Sequence, residues 1–320
     1  MASYRHMSRP RRYIQEGGAL VEITHKVTQG RYLLRPDRGG LVNETAIGVL
    51  GRAQRLYSVS ISAVSILSNH LHLLAYFEDA DQMASFMCHA GGNLSRKIGR
   101  LQGWEGPMWA RRYRAIVVSD EEEAQIARLK YLLAAGVKEF LVDRVDEWPG
   151  VHSARALIEG KALRGWWLDG TRAYAARRRG ERPPRYEYGN EELLFFEPIP
   201  CWRHLPPEEV RLRVAELVAE IEEEAAVERR STGRRSLGAE AVMAMDPDHR
   251  PEKQKKSPAP MFHAWRDKVR KELWEGYALV MASYCVAAEK LRAGDRTARF
   301  PEGTFPPHLP FVPYARGHPP

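Results

Sequence analysis

The sequence contains little cysteine and no long apolar run. Its three cysteines, Cys88, Cys201 and Cys285, lie far apart and lack CxxC spacing, so the sequence encodes neither a disulfide framework nor a zinc cluster. No apolar stretch approaches the roughly 20 residues that a bilayer helix requires, and no apolar segment follows the charged N-terminus. We therefore expect a cytoplasmic protein that is neither secreted nor anchored to a membrane.

The sequence also lacks internal repeats and a dominant low-complexity tract. Its 320 residues, 44% of them hydrophobic, are enough for one well-packed domain with a substantial extension or for two modest domains. The formal net charge is +8 at pH 7, which favours anionic partners, and nucleic acid is the commonest large polyanion in a cell. The composition thus indicates a globular protein that attracts polyanions.

Apolar patterns predict elements in the order β-α-β-β-α-β-α. The residues from Val21 to Val27 alternate between apolar and polar, which is typical of a half-buried strand. The patterns then predict a helix over 43–56, strands over 59–67 and 70–76, a helix over 81–100, a strand over 109–118 and a helix from 120 to 135. This order predicts an α+β fold: a ferredoxin-like split βαβ sheet with helices on one face and the other face open, followed by a mainly helical C-terminal extension.

Changes in composition predict three regions. Residues 1–18 are basic and end in two glycines, which indicates a flexible arm. Residues 19–155 contain the predicted sheet, and residues 156–320 form the mainly helical extension. Within the extension, we interpret the basic and proline-bearing stretch 171–185 as a linker.

Two histidines lie one residue apart in the stretch SNHLHLL of the third strand. Because successive side chains of a strand point to opposite faces, His70 and His72 share one face. Glu22 lies on the polar side of the first strand, which neighbours the third strand in this kind of sheet. One carboxylate and two imidazoles suit a divalent ion such as Mg²⁺ or Mn²⁺ that also holds a phosphate oxygen. Two histidines on a strand can equally be ordinary hydrogen-bonded residues.

Further candidates lie in the fourth strand, in the helix after it and in the basic stretch. Tyr131 lies at the margin of the helix's apolar stripe, a position that suits either packing or chemistry. Basic side chains interleaved with aromatic ones can grip a phosphate backbone and stack on bases. The candidates of this kind are Trp109, Arg111, Arg112, Tyr113 and Arg114 in the strand, Lys130 and Lys138 near Tyr131, and Arg177, Arg178 and Arg179 in the basic stretch. Lysines on a helix surface are usually just solvated.

Taken together, these segments resemble a known family. The resemblance is carried by QGRYLLRPD after the first strand, SNHLHLL on the third, WARRYRAIVVSDEE leading into the tyrosine helix, and WPGVHS beyond it. In this order they resemble the single-tyrosine HUH transposases, and the branch they resemble most is the REP-associated tyrosine transposases. The resemblance covers residues 19–155, which would then be an HUH transposase-like catalytic domain.

The resemblance implies a metal-dependent enzyme that nicks and rejoins DNA. Its DNA partner would be single-stranded or a hairpin, and the protein would act as a homodimer. His70 and His72 would bind a divalent metal, Mg²⁺ or Mn²⁺, that polarises the scissile phosphate. Tyr131 would attack phosphorus and leave a 5′-phosphotyrosyl link and a free 3′-hydroxyl. Such a covalent intermediate conserves the phosphodiester energy and allows rejoining without ATP.

The chain departs from the family pattern at one position. The family has a polar residue one helical turn past the tyrosine, where it completes the metal shell, and this chain has Ala135 there. Either Glu22 supplies the oxygen ligand, or the metal site is weakened. A weakened site would favour a rival function, a non-catalytic DNA-binding protein that recognises hairpins or repeats without cutting them. A third alternative, an RNA-binding module, would require aromatic residues on the open face, where the strands offer histidines.

Overall fold

The computed structural model describes residues 13–182, 184, 186–251 and 260–307. The strands and helices of these residues are, in chain order, β1 (Ala19–Lys26), α1 (Leu41–Tyr57), β2 (Ser60–Leu67), β3 (His70–Phe77), α2 (Ala80–Leu101), β4 (Arg114–Val118), α3 (Glu122–Leu133), α4 (Ala154–Glu159), β5 (Leu163–Leu168), α5 (Gly170–Arg178), β6 (Gly189–Leu194), α6 (Pro207–Thr232), α7 (Ala239–Ala244), β7 (Phe262–His263) and α8 (Asp267–Arg292). The elements from β1 to α3 follow the order that the sequence predicts. Within the described residues, no helix is both long enough and apolar enough to cross a membrane.

Five strands form the central sheet in the order β2-β3-β1-β4-β7. β1 lies between β3 and β4 and runs antiparallel to both, and β2 pairs antiparallel with β3. This topology confirms the predicted α+β class with a ferredoxin-like split βαβ sheet. The short β7 comes from the C-terminal extension and pairs in parallel with β4. A two-residue strand has no measurable periodicity, so no local pattern in the sequence indicates it.

Both faces of the sheet are covered. Val21 and Ile23 of β1 belong to a core cluster that contains buried side chains of α1, α2 and α8. Leu20, on the opposite face of β1, belongs to a second cluster with buried side chains of α3 and α6. The expected layer of helices, α1 and α2, is present on one face. The other face, which we expected to be open, is closed over its apolar part by α3 and α6.

The C-terminal extension is mainly helical and shares its cores with the sheet. Tyr284 of α8 is buried in the cluster of α1 and α2, and Ile221 of α6 is buried in the cluster of α3. Glu121, which precedes α3, accepts hydrogen bonds from the backbone N–H of Trp265 and from the guanidinium of Arg266. The boundary expected at residue 155 therefore does not separate two independent cores.

The two segments expected to be flexible contain ordered parts. Residues 1–12 of the basic arm lie outside the described residues, but Ile14 is 3% exposed and packs in the core. The stretch interpreted as a linker contains most of α5, whose first turn is capped by the carboxylate of Asp169. α5 connects β5 to β6, which pair with each other in an antiparallel two-stranded sheet. The basic stretch is thus in large part a helix held by a small sheet.

Glycines allow this small sheet to pack directly against α1. A Cβ atom on Gly48 would lie 2.3 Å from backbone atoms of Trp166, and one on Gly51 would lie 2.6 Å from the carbonyl oxygen of Leu193. A strand backbone cannot move aside in the way that the end of a flexible side chain can. The close approach therefore requires glycine at both positions, although glycine weakens a helix.

We predict that Gly48→Ala lowers the free energy of unfolding by about 2 kcal/mol. Overpacking of this kind costs about 1–3 kcal/mol, and the better helix propensity of alanine returns at most about 1 kcal/mol. Urea unfolding followed by circular dichroism measures the change. Gly99→Ala in α2 is the matched control, because a Cβ there would meet the Trp104 carbonyl oxygen at an ordinary 3.7 Å. Equal effects of the two substitutions would contradict the close packing of β5 on α1.

Candidate active site

His70 and His72 lie on the face of the sheet that α3 covers. In the register of β1 and β3, Lys26 is opposite His70 and Thr24 is opposite His72. The two imidazole centroids are 4.6 Å apart, and the ring centroid of Tyr131, on α3, is 5.8 Å from that of His72. Strand alternation thus produces the shared face that the sequence predicts, and α3 brings the tyrosine beside it.

Each of these histidines uses its Nδ1 atom for a hydrogen bond to a side-chain oxygen. The distance is 3.2 Å from His72 Nδ1 to Glu22 Oε1 and 2.5 Å from His70 Nδ1 to Asn69 Oδ1. A carboxylate oxygen and an amide oxygen can only accept, so each Nδ1 carries the proton and donates it. In the neutral ring, the lone pair is then on Nε2, which is the atom left to bind a metal.

Glu22 connects the strands to α3. Its side chain is 2% exposed, Oε1 accepts the hydrogen bond from His72, and Oε2 accepts one of 2.7 Å from Arg128 Nη1. Burial alone would raise the pKa of this carboxyl, but the hydrogen bond from His72 and the charge of Arg128 outweigh it and lower the pKa below its ordinary value. Both oxygens accept hydrogen bonds from protein groups, and the expectation that Glu22 supplies a metal ligand stays a prediction. A carboxylate bonded to Nδ1 also orients the imidazole.

Tyr131 is exposed at the end of α3, where its neighbours are buried. Leu129 and Leu132 face the core, whereas Tyr131 is 43% exposed. Two cations lie over its ring, with Lys138 Nζ 3.3 Å and Arg128 Cζ 5.2 Å from the ring centroid. Cations in this position attract phosphate and stabilise negative charge that develops on the phenol oxygen during attack.

The cations around Tyr131 are partly those that the sequence indicates. Lys138 lies seven residues after Tyr131, in the turn that follows the end of α3 at Leu133, and its ammonium group reaches the Tyr131 ring from there. Arg128 was not among the predicted site residues, but its spacing of three residues before Tyr131 is a signal that could have found it. Ala135, at the position where the resemblance implies a polar ligand, is 1% exposed and lies in the core cluster that contains Trp148.

Lys130 does not face the site. Its ammonium group lies 2.8 Å from Glu220 and 2.9 Å from Glu224, both on α6, and the Lys130 side chain is 24% exposed. These ion pairs attach α6 to α3. Two carboxylates already pair with its ammonium group, and phosphate binding by Lys130 stays a prediction.

The aromatic residues of the stretch before and within β4 pack inward. Trp109 stacks on His25 with ring centroids 3.8 Å apart and donates a hydrogen bond to the carbonyl oxygen of Gly91. Tyr113 is 8% exposed and meets His25 edge-on. Burial lowers the pKa of His25 to about 4, so this ring is neutral inside the stack. Tyr113 is buried and Trp109 is partly buried, and stacking of either ring on a base stays a prediction.

The arginines expected to bind DNA are exposed. The buried Tyr113 is flanked by three exposed arginines just before and at the start of β4: Arg111, Arg112 and Arg114. Arg177, Arg178 and Arg179 end α5, and Arg179 pairs with Glu181 at 2.6 Å. The role of both groups in DNA binding stays a prediction.

The site offers two nitrogen ligands for a metal ion. Among the described residues, no group of three or more histidine, cysteine, aspartate and glutamate side chains is arranged to hold a metal. Burial lowers the pKa of His70 well below its ordinary value, and the charges of Lys26 and Lys138 act in the same direction. The ring is therefore neutral and suited to coordination. Two imidazoles fit a divalent ion whose other positions are filled by water and by substrate oxygens.

Comparison with known proteins finds similarity in structure. No protein-family model matches the chain, and no curated protein matches it. The structure of a REP-associated tyrosine transposase bound to a REP hairpin is similar, with 18% identity and a TM-score of 0.38 over 57% of this chain and 98% of that one. A protein classed as a transposase from Deinococcus radiodurans is also similar, with 18% identity and a TM-score of 0.28 over 38% of this chain and 95% of that one. At such identity, the roles of individual residues rest on this chain's own geometry.

We predict that Arg128→Met lowers the free energy of unfolding by about 3–5 kcal/mol, because it leaves the Glu22 carboxylate buried without its cation. The double substitution Glu22→Gln and Arg128→Met should cost less than the sum of the two single ones by more than about 1 kcal/mol. Urea unfolding at pH 7 of the four proteins measures this coupling.

An exposed ion pair of the same kind serves as the control. Arg38 and Glu240 lie 3.2 Å apart, with side chains 74% and 76% exposed. Arg38→Met should change the free energy of unfolding by less than about 1 kcal/mol. Additive effects at Glu22 and Arg128, or an equal loss at Arg38, would show that the buried pair does not join β1 to α3.

Proposed function

We propose that this protein nicks and rejoins single-stranded or hairpin DNA through a covalent bond to Tyr131, in a divalent-metal-dependent reaction of DNA transposition or repeat processing. The observation that carries the proposal is the cluster of an exposed tyrosine, two cations over its ring and a pair of oriented histidines, of which His72 has its ring centroid 5.8 Å from that of Tyr131. Exposure alone does not distinguish Tyr131 from other surface tyrosines, but these neighbours do. Tyr131 is presented to solvent beside the groups that a phosphate would need.

Each residue of the cluster around Tyr131 would have a separate role in such a reaction. Lys138 attracts the phosphodiester and stabilises the charge on the phenol oxygen as that oxygen loses its proton. Arg128, whose charge is paired with Glu22, lies over the Tyr131 ring and holds it in place. That oxygen attacks phosphorus, the bond from phosphorus to the 3′-oxygen breaks, and the 3′-oxygen takes up a proton. A metal held by His70 and His72 would polarise the phosphate. The reaction exchanges the DNA phosphodiester for a phosphodiester to Tyr131. The reverse attack by the 3′-hydroxyl therefore restores the DNA strand without ATP.

The rival function is DNA binding without cleavage. Two observations favour it: Glu22 is engaged on both oxygens, and Ala135 is buried where the resemblance implies a ligand. The protein would then recognise a hairpin or repeat with the same surface. A covalent product separates the two functions, because only the enzyme forms one. A homodimer is implied by the resemblance alone and stays a prediction.

We predict that the protein forms a denaturation-resistant adduct with DNA and that Tyr131→Phe forms none. The substrates are 3′-labelled single-stranded oligonucleotides that carry imperfect palindromes able to form hairpins, incubated with Mg²⁺ or Mn²⁺. A 5′-phosphotyrosyl link retains the 3′-labelled fragment on the protein, so denaturing electrophoresis shows it directly. Tyr131→Phe should still bind the oligonucleotide, because its ring and both cations remain.

Tyr174→Phe is the matched control for this experiment. Tyr174 is also an exposed helical tyrosine, 62% exposed on α5, and loss of its hydroxyl should leave adduct formation unchanged. An adduct in Tyr131→Phe would mean that another residue is the nucleophile. Binding without any adduct in the unmodified protein, with either metal, would establish the rival function.

We predict that His70→Ala abolishes the adduct and weakens Mn²⁺ binding by at least about tenfold, since one of two nitrogen ligands is lost. Calorimetric titration of the DNA-free protein with Mn²⁺ measures the second effect independently of activity. His204→Ala, a histidine exposed on the surface, is the control. EDTA should abolish the adduct and excess Mn²⁺ should restore it. Unchanged Mn²⁺ affinity in His70→Ala would exclude the metal site, whatever the activity.

A further inference from the structure

A basic groove lies between α2 and the small sheet with α5. Its volume is about 840 Å³, and its walls carry Arg52, Arg96, Lys97, Arg100 and Arg177 together with aromatic side chains. None of these residues belongs to the candidate active site. The groove lies beyond the layer of α1 and α2, whereas His72 faces α3, so the sheet separates the two.

The positive charge of the groove is only partly neutralised. Arg52 pairs with Glu192 at 3.0 Å, but within the described residues none of the ion pairs includes Arg96, Arg100 or Arg177. Burial lowers the pKa of Lys97 to about 8; the charges of Arg96 and Arg100 act in the same direction, and the charge of Asp169 in the groove wall opposes them. Cations that lower one another's proton affinity form a surface at positive potential, which favours a bound polyanion.

Aromatic rings give the groove a second kind of contact. Trp167 is held in the wall, with Lys97 Nζ 4.1 Å and Arg52 Cζ 4.7 Å from its ring centroid. Tyr174 is 62% exposed on α5, one helical turn before Arg177. An exposed ring beside a row of guanidinium groups can stack on a base while the guanidinium groups bind the phosphates on either side.

We propose that this groove is a second DNA-binding site, which takes a single strand by its phosphates on Arg96, Arg100 and Arg177 and by a base stacked on Tyr174. The choice of DNA over RNA rests on the proposed function. The choice of a single strand rests on Tyr174, since only an unstacked base can offer its face to a ring. The contacts are made to groups that every nucleotide has, so binding here is independent of sequence.

The test is fluorescence anisotropy with a labelled 20-nucleotide oligo-dT, in EDTA and in the full-length Tyr131→Phe protein, so that neither metal nor adduct contributes. Arg96→Ala, Arg100→Ala and Arg177→Ala combined should weaken binding and reduce the slope of log affinity against log salt by about 2, at about 0.7 for each phosphate that the protein no longer neutralises. The control combines Arg292→Ala, Arg296→Ala and Arg299→Ala, which remove the same charge from exposed positions at the end of α8 and just beyond it and should leave the slope unchanged.

A second pair of variants tests the stacking interaction. Tyr174→Ala should weaken oligo-dT binding about tenfold, and Tyr174→Phe should not, because it keeps the ring. Wild-type affinity and slope in the groove triple variant would overturn the proposal, as would equal competition by duplex DNA or by oligo-U. Adduct formation at Tyr131 is read separately, so loss of groove binding with the adduct intact, or the reverse, identifies which of the two proposals fails.

Discussion

A single buried carboxylate fixes the relation between the histidine pair and the candidate nucleophile. Glu22 is on β1, accepts a hydrogen bond from His72 on β3 and forms an ion pair of 2.7 Å with Arg128 on α3. Arg128 in turn lies over the ring of Tyr131. A buried ion pair often contributes little net stability, but it tolerates little displacement because either charge alone would be costly. The ion pair therefore fixes the position of α3 relative to β1, and with it the position of Tyr131 relative to the histidine pair.

The polarity of β1 explains why the site is at one end of the sheet. On the face toward α3, Leu20 is buried in the apolar cluster, Glu22 is buried in the ion pair, and Lys26 is exposed. α3 and α6 can close only the apolar end of this face without burying unpaired charge. At the opposite end, Lys26 is exposed and its neighbour in the strand register, His70, is partly exposed. Because the apolar side chains on this face of β1 lie at one end only, α3 and α6 cover that end and leave the histidine end less covered.

The sequence predicts the elements whose signals are local and misses the interactions that depend on distant segments. The strands, the hairpin and the shared face of His70 and His72 follow from alternation, and the structure has them. The engagement of Glu22 and the ion pair of Lys130 with Glu224 on α6 require partners 50 to 106 residues away, which no local pattern encodes. Tyr113, between exposed arginines, has the pattern of a strand that binds nucleic acid. Strand alternation also turns it inward, where its ring packs on His25.

The basic stretch 171–185 is in large part a helix, because Asp169 caps the first turn of α5 and β5 and β6 hold its two ends.

The two proposed DNA-binding surfaces would contact different features of a DNA strand. The groove binds any nucleotide through phosphates and one ring, so it contributes affinity without choosing a sequence. The site at Tyr131 has two imidazoles and no third protein ligand within the described residues, so a metal there would depend on a substrate phosphate to complete its coordination. A strand held in the groove raises the effective concentration of its own phosphates around the rest of the protein. Because the sheet lies between the two surfaces, that strand must pass around an edge of the sheet, and a flexible single strand can make such a turn at far lower cost than a stiff duplex.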